Sequence, residues 1–97
     1  PPIFKENGGR WSGAIALIKP QFEAGKKDVA RGDGVIRDAA IHRQVLSNML
    51  TFAQGEGFAV RGLIRSPLLG PKGNAEFLAW LGFDNGKDVP ELINSLF

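Results

Sequence analysis

The hydrophobic residues of this chain fall into short runs that predict three strands. We expect these strands at residues 13–19, 58–65 and 75–83. The apolar run IALI at residues 15–18 is typical of a strand buried on both faces, as in parallel sheets covered by helices. The second strand carries Arg61 and Arg65 on one face, which indicates an outer strand whose second face is partly wet.

Two further segments, residues 39–54 and 89–97, have the spacing of amphipathic helices. Asp38 is a suitable N-cap for the first of them. Its predicted apolar stripe consists of Ile41, Val45, Met49, Phe52 and Ala53. His42 falls within the same arc, and we interpret it as a hydrogen-bonded, partly buried histidine, because no triad or metal partner is visible. The elements together predict an α/β fold, in which a strand, a helix and a strand are followed by an antiparallel hairpin.

The connection between the first strand and the first helix, residues 20–37, shows no sustained period of either kind. It is long for a compact domain, and such connections are commonly lids, binding loops or disordered segments. Its basic side chains are Lys26, Lys27, Arg31 and Arg37.

The predicted topology brings two charged residues to one edge of the sheet. A strand, a helix and a strand form a right-handed parallel unit, so the return strand of the hairpin starts where the parallel strands end. Open α/β sheets bind ligands at that edge. Lys19 ends the first strand there, before Pro20 stops the ladder, and Glu76 begins the return strand. If the return strand inserts between the other two, the ammonium and the carboxylate come within reach of each other. A lysine that merely extends into water and a purely structural ion pair remain alternatives.

Composition narrows the function classes. The 97 residues suffice for one small domain, and the absence of cysteine leaves neither a disulfide framework nor a thiolate metal site; we predict no metal. No signal-peptide pattern and no apolar run of membrane length occurs, so we expect a reducing, cytoplasmic compartment. The net charge is only +2, but residues 1–74 hold eleven of the twelve basic side chains, and that part could face a polyanion.

Three motifs carry a family resemblance. They are ALIKPQFE at residues 16–23, GVIRD at residues 34–38 with His42-Arg43, and Ser66-Pro67 followed by GPKGNAEFL at residues 70–78. In this order, and over roughly residues 1–83, the chain resembles the C-terminal part of the TlyA, or hemolysin A, family of FtsJ-like ribosomal RNA methyltransferases. One departure is Ala39, since the family usually has proline after the aspartate; alanine starts the helix less rigidly.

The resemblance implies a class I S-adenosylmethionine-dependent methyltransferase sheet, which is Rossmann-like, with the last antiparallel strand inserted between two parallel ones. It implies methyl transfer to a ribose 2′-hydroxyl of ribosomal RNA by a Lys-Asp-Lys-Glu tetrad, in which Lys19 matches the second lysine and Glu76 the glutamate. The first lysine, the aspartate, the Gly-rich cofactor loop and the amino-terminal RNA-binding domain have no counterpart in residues 1–97. We therefore expect a C-terminal piece of a methyltransferase domain, cut from a longer protein and inactive alone.

The chemistry explains why these residue types are needed. A 2′-hydroxyl is a poor nucleophile, so its proton must be held or removed and its lone pair aimed at the sulfonium methyl. Lys19 would act as base or hydrogen-bond partner of the oxygen, and Glu76 would orient Lys19. The side chains expected to contact RNA phosphates are Lys26, Lys27, Arg31, Arg37 and Lys72.

Two other functions remain open from the sequence. One is a non-catalytic module that binds RNA or a partner protein. The other is a pore-forming lysin, which only the family name suggests; against it, the polar face of the first helix has Arg43 as its only cation, unlike a cationic interfacial helix. We also expect that the uncovered edge of the first strand favours self-association.

Overall fold

The computed structural model describes residues 13–25 and 34–97. Within these residues the chain forms a three-stranded sheet with helices packed against it. The strands are β1 (Ala14–Ile18), β2 (Ala59–Arg65) and β3 (Phe77–Gly82). The helices are α1 (Pro20–Glu23), α2 (Ala39–Gly55) and α3 (Val89–Asn94), and a 3₁₀ turn covers Pro71–Gly73. The predicted α/β class and the order of its elements are confirmed.

The third strand lies in the middle of the sheet. The spatial order is β1-β3-β2, and β3 runs antiparallel to both neighbours. The two outer strands are therefore parallel to each other, as α2 connects them in the predicted strand-helix-strand unit. This insertion confirms the predicted topology, and β2 forms an edge of the described sheet.

Strand β1 is buried on one face only. Ala14, Ala16 and Ile18 are buried against the helices, whereas Ile15 on the other face is 37% exposed. The sequence predicted burial on both faces. Trp80 of β3, the pairing partner of Ile15, is likewise 50% exposed, so in the described residues the second face of the sheet is open to solvent.

Helix α2 covers the buried face of the sheet. Asp38 caps it as predicted, since its carboxylate accepts a hydrogen bond from the Ala40 N–H at 2.8 Å. The buried stripe, however, is rotated relative to the predicted one. It consists of His42, Val45, Leu46 and Leu50, with Ile41, Met49 and Ala53 partly buried beside it. Phe52, a predicted stripe member, is 65% exposed because it lies beyond the side of the helix that contacts the sheet.

A β-bulge changes which side chains of β2 are buried. Val60 pairs with Leu81 and Gly62 with Trp80, so Arg61 is an extra residue in the ladder. Strict alternation predicted Val60 and Ile64 on the same face. Past the bulge, the alternation of side chains between the two faces of the strand is shifted by one residue. Leu63 is therefore buried at 6% exposure while Ile64 is 54% exposed. The guanidinium of the extra residue lies over the Trp80 ring, 5.8 Å from its centroid.

Helix α1 was not predicted from the periodicity. It is a single turn with Pro20 at its first position, where a missing N–H costs no hydrogen bond. A segment of four residues is too short to show a helical period. Its consequence is local, because it turns Pro20 and Gln21 into the interior directly after β1.

Candidate active site

The register of the sheet places Lys19 and Glu76 at the same edge. Ile18, the last residue of β1, pairs with Phe77, the first residue of β3. Lys19 and Glu76 are the adjoining residues beyond this pair. The insertion of β3 beside β1 therefore brings together two residues that are 57 positions apart in sequence. Both Ile18 and Phe77 are almost fully buried, which fixes the two strand ends against each other.

The carboxylate of Glu76 is enclosed. Its residue is 8% exposed, and its Oε2 accepts a hydrogen bond from Gln21 Nε2 at 3.1 Å. The backbone carbonyl of Glu76 accepts from the Ser66 N–H at 2.8 Å. Gly70 lies against the same carboxylate, and a methyl group built at Gly70 would overlap Oε2. The position of the carboxylate is thus limited by one hydrogen-bond donor and by the close approach of Gly70.

Lys19 is half-buried and sits in extended backbone at the N-cap position of α1. Its carbonyl accepts from the Phe22 N–H at 2.9 Å, and its ammonium lies 5.8 Å from the centroid of the exposed Phe22 ring. In the part of the chain that the structure describes, the ammonium forms no direct ion pair with Glu76, whose side-chain partner is Gln21. The two charges therefore share an edge without neutralising each other, and their catalytic roles stay a prediction.

Asn74 ties the edge to the segment that precedes α2. It is 2% exposed, and its Oδ1 accepts from the Ile36 N–H at 2.9 Å. Its Nδ2 donates to the carbonyls of Gly34 and Pro71, each at 2.9 Å. His42 Nε2 lies 2.8 Å from the Ile36 carbonyl, so this histidine is buried and hydrogen-bonded, as its place in the apolar arc predicted. Two motifs that are distant in sequence, at residues 34–43 and 70–78, thus meet in one hydrogen-bonded cluster.

Two of the residues predicted to contact RNA are described. Arg37 and Lys72 are both exposed, and they lie on the two segments that Asn74 joins. A methyl group built at Gly34 would lie 3.4 Å from the Lys72 ammonium, which shows how closely these segments approach. Lys26, Lys27 and Arg31, the other predicted RNA contacts, lie outside the described residues. The structure therefore gives the positions of only Arg37 and Lys72 among the five residues of the predicted basic surface.

Other basic residues are engaged elsewhere. Arg65 lies over the rings of Phe77 and Phe97, at 5.0 and 5.4 Å from their centroids. Arg43 donates to Asn94 Oδ1 at 2.7 Å and lies 4.9 Å from the Phe97 centroid. These contacts hold the C-terminal residue against the sheet and α2.

The described ranges, 13–25 and 34–97, hold neither a metal-binding cluster nor a membrane-spanning helix. No group of three or more histidine, aspartate or glutamate side chains is placed to hold a metal ion there. Nor does any helix within those ranges have the length and apolarity to cross a membrane.

Sequence reasoning missed the residues that support Glu76. Gln21 belongs to a motif that carried the resemblance, but its spacing gave it no role, and a hydrogen bond across 55 positions has no local signature. Gly70 and Asn74 belong to the motif at residues 70–78, and neither was assigned a separate role. Only the one asparagine in an otherwise Gly- and Pro-rich stretch could have indicated a side chain that bonds to backbone groups.

Several known proteins are similar to this chain. The profile of the FtsJ-like methyltransferase family matches residues 5–83. The chain is 42% identical over 84 residues to the YqxC protein of Bacillus subtilis, named as a candidate rRNA methyltransferase, with 82% of this chain and 30% of that protein covered. It is 43% identical over 81 residues to hemolysin A of Brachyspira hyodysenteriae, covering 81% of this chain and 32% of that protein.

A third relative is named for its reaction. The chain is 40% identical over 67 residues to the 16S/23S rRNA (cytidine-2′-O)-methyltransferase TlyA of Mycobacterium tuberculosis, covering 69% of this chain and 25% of that protein. Among solved structures, a candidate hemolysin from Lactococcus lactis superposes with a TM-score of 0.70 at 39% identity, over 84% of this chain and 41% of that chain. One from Streptococcus thermophilus gives 0.69 at 39% identity, over 84% and 31%. The chain thus spans about a third or less of the length of its curated relatives.

Proposed function

Because this chain belongs to the FtsJ-like methyltransferase family, we propose that it forms the C-terminal part of an S-adenosylmethionine-dependent methyltransferase domain acting on a ribose 2′-hydroxyl of ribosomal RNA. The observation that carries the proposal is the convergence of Lys19 and Glu76 at the carboxyl edge of β1. In open α/β sheets this edge is where ligands bind. The half-buried Lys19 and the enclosed Glu76 at this edge suit a methyl acceptor that must give up a proton, as a 2′-hydroxyl does.

The reaction sets the roles of the two charges. S-adenosylmethionine, when bound, supplies a methyl group on a sulfonium that leaves readily as a thioether. As a neutral amine, Lys19 Nζ accepts the proton of the 2′-hydroxyl, or as an ammonium it donates a hydrogen bond to that oxygen, while the oxygen lone pair is aimed at the methyl carbon. Glu76 sets the direction of the ammonium electrostatically once substrate closes the space between them. Positioning of the 2′-hydroxyl supplies the larger share of the rate enhancement, since the leaving group needs no activation.

The donor set fits the acceptor rather than the cofactor. An ammonium and a carboxylate can orient or deprotonate a hydroxyl, which loses a proton in the reaction. A sulfonium methyl group loses no proton and needs neither of them. We assign no cofactor contact to Lys19 or Glu76. In this proposal the first lysine, the aspartate and the Gly-rich loop of the family are supplied by the remainder of the intact enzyme.

Arg37 and Lys72 contribute to RNA binding through phosphates. Both are exposed on adjoining segments beside the Glu76 edge, and phosphate contacts fix the register of RNA without reading its sequence. Lys26, Lys27 and Arg31 extend this surface in the proposal. In this proposal the protein acts in the cytoplasm, where a ribosomal substrate would be found.

The test is methyl transfer to ribosomal RNA by the intact enzyme with single substitutions. Lys19→Ala and Glu76→Gln should each lower kcat by about 100-fold or more while the protein stays folded, because general acid–base groups contribute on the order of 10²–10⁴-fold. Arg37→Ala should raise KM for RNA with kcat nearly unchanged. Far-UV circular dichroism and thermal unfolding monitor the fold.

Matched controls exist at positions remote from the edge. Lys87→Ala removes an exposed ammonium and Glu56→Gln an exposed carboxylate, and both should methylate at the wild-type rate. Full activity of Lys19→Ala or Glu76→Gln would refute the proposed reaction centre. Binding of RNA with no methyl transfer by the wild-type enzyme would instead favour a non-catalytic binding module.

A further inference from the structure

Gln21 is the one side chain in the described residues that contacts the Glu76 carboxylate by a hydrogen bond. It lies on the single turn of α1 that follows Lys19 and Pro20, and it is 8% exposed. Its Nε2 donates to Glu76 Oε2 at 3.1 Å. The contact joins the residue two positions after the candidate base to the candidate orienting carboxylate.

The orientation of the Gln21 amide is fixed by chemistry. Turning it over would place the carbonyl oxygen Oε1 against the carboxylate, where neither atom has a hydrogen to donate. In the observed orientation Oε1 is itself buried and, within the described residues, has no hydrogen-bond partner. Buried acceptors are rarely left unpaired, because an unpaired one lowers stability. An apolar side chain of the same length would avoid that penalty.

Resting on the proposed function, we propose that Gln21 is a positioning residue for Glu76. The glutamine is present for its amide nitrogen, which holds Oε2 in place and so sets the direction in which the carboxylate faces Lys19 and the 2′-hydroxyl. The unpaired Oε1 is the cost of that arrangement. Gln21 touches no reacting atom and acts only through Glu76.

Gly70 lies against the same carboxylate oxygen that Gln21 contacts. Its backbone φ of −80° is open to any residue, so the glycine is not required by conformation. Glycine is required at this position for steric reasons, because a methyl group there would overlap Glu76 Oε2. The carboxylate is the far end of a flexible side chain and can move away, so Gly70→Ala should displace the carboxylate without unfolding the protein.

The test measures kcat and KM of the intact enzyme for Gln21→Met, Gln21→Glu and Gly70→Ala. Met has a similar length but no donor, and we expect it to lower kcat by about ten-fold with KM for RNA and for S-adenosylmethionine nearly unchanged. Glu adds a like charge beside Glu76 and should lower kcat further. The combination of Gln21→Met with Gly70→Ala should cost less than the product of the two single effects, because both displace the same carboxylate.

The matched control is Gln44→Met. Gln44 Nε2 donates to Asn48 Oδ1 at 2.9 Å on the exposed side of α2, so the same substitution removes the same kind of bond away from the edge. It should leave kcat unchanged. Unchanged kcat per folded molecule in Gln21→Met would overturn the positioning role, as would fully multiplicative effects with Gly70→Ala. If Glu76→Gln itself retains full activity, the proposed reaction centre fails rather than the role of Gln21.

Discussion

Replacing Asn74 by alanine should loosen the junction between the turn before β3 and the segment before α2. The Asn74 side chain makes three hydrogen bonds with described residues, accepting from the Ile36 N–H and donating to the carbonyls of Gly34 and Pro71, and the residue is 2% exposed. A typical intramolecular hydrogen bond contributes about 0.5–1.5 kcal/mol, and a buried donor left unpaired costs about 1–3 kcal/mol.

The size of the stability loss in Asn74→Ala follows from how exposed each hydrogen-bond partner of Asn74 is. Ile36 is 3% exposed, so its N–H loses its acceptor without access to water and takes the full penalty. Pro71 is exposed and Gly34 partly so, which allows water to replace the lost donor at their carbonyls. We therefore expect a loss of about 2–4 kcal/mol in the free energy of local opening.

The assay is amide hydrogen exchange at Ile36, followed by NMR or mass spectrometry. A loss of that size accelerates exchange of this amide by about 30- to 700-fold. Asn48→Ala is the matched control, because Asn48 is exposed and its hydrogen bond is to another exposed side chain, so its effect should stay within about 0.5 kcal/mol. If Ile36 exchanges at the wild-type rate in Asn74→Ala, the cluster does not hold this segment and the reasoning is refuted.

The remaining predictions concern α2. Leu46→Ala should destabilise the protein by about 2–5 kcal/mol in denaturant unfolding, since Leu46 is 0% exposed, whereas Phe52→Ala should change stability by less than about 0.5 kcal/mol, since Phe52 is 65% exposed. Equal losses would contradict the observed rotation of the buried stripe. Asp38→Ala removes the bond to the Ala40 N–H and should cost about 1 kcal/mol; an unchanged unfolding midpoint would show that the cap contributes nothing.

The sequence pattern was sufficient for the order of the three strands along the chain and for their directions, whereas the central position of β3 was implied only by the family resemblance. Apolar runs and turn residues located all three strands within two residues, and the short connection before β3 required an antiparallel neighbour. The parallel directions of β1 and β2, followed by an antiparallel strand, then placed Lys19 and Glu76 at one edge. Each of these inferences rests on local pattern or on a general rule of chain connection.

What the sequence could not supply depends on contacts between distant residues. The bulge at Arg61 reverses the burial of Leu63 and Ile64, and its local sign is a glycine, Gly62, inside the strand, which does not by itself fix the register. The hydrogen bond from Gln21 to Glu76 joins elements whose relative placement is set by packing. Register and side-chain pairing across elements are therefore the missing information.

The central position of β3 also governs when the site comes into existence during synthesis. In the described sheet β1 and β2 share no hydrogen bonds with each other, because every rung of the ladder involves β3. A nascent chain that has emerged only as far as β2 holds two strands with nothing between them. The edge carrying Lys19 is completed only after residue 82 leaves the ribosome, so the enzyme that we propose to modify ribosomal RNA depends on a late, long-range closure step for its own assembly.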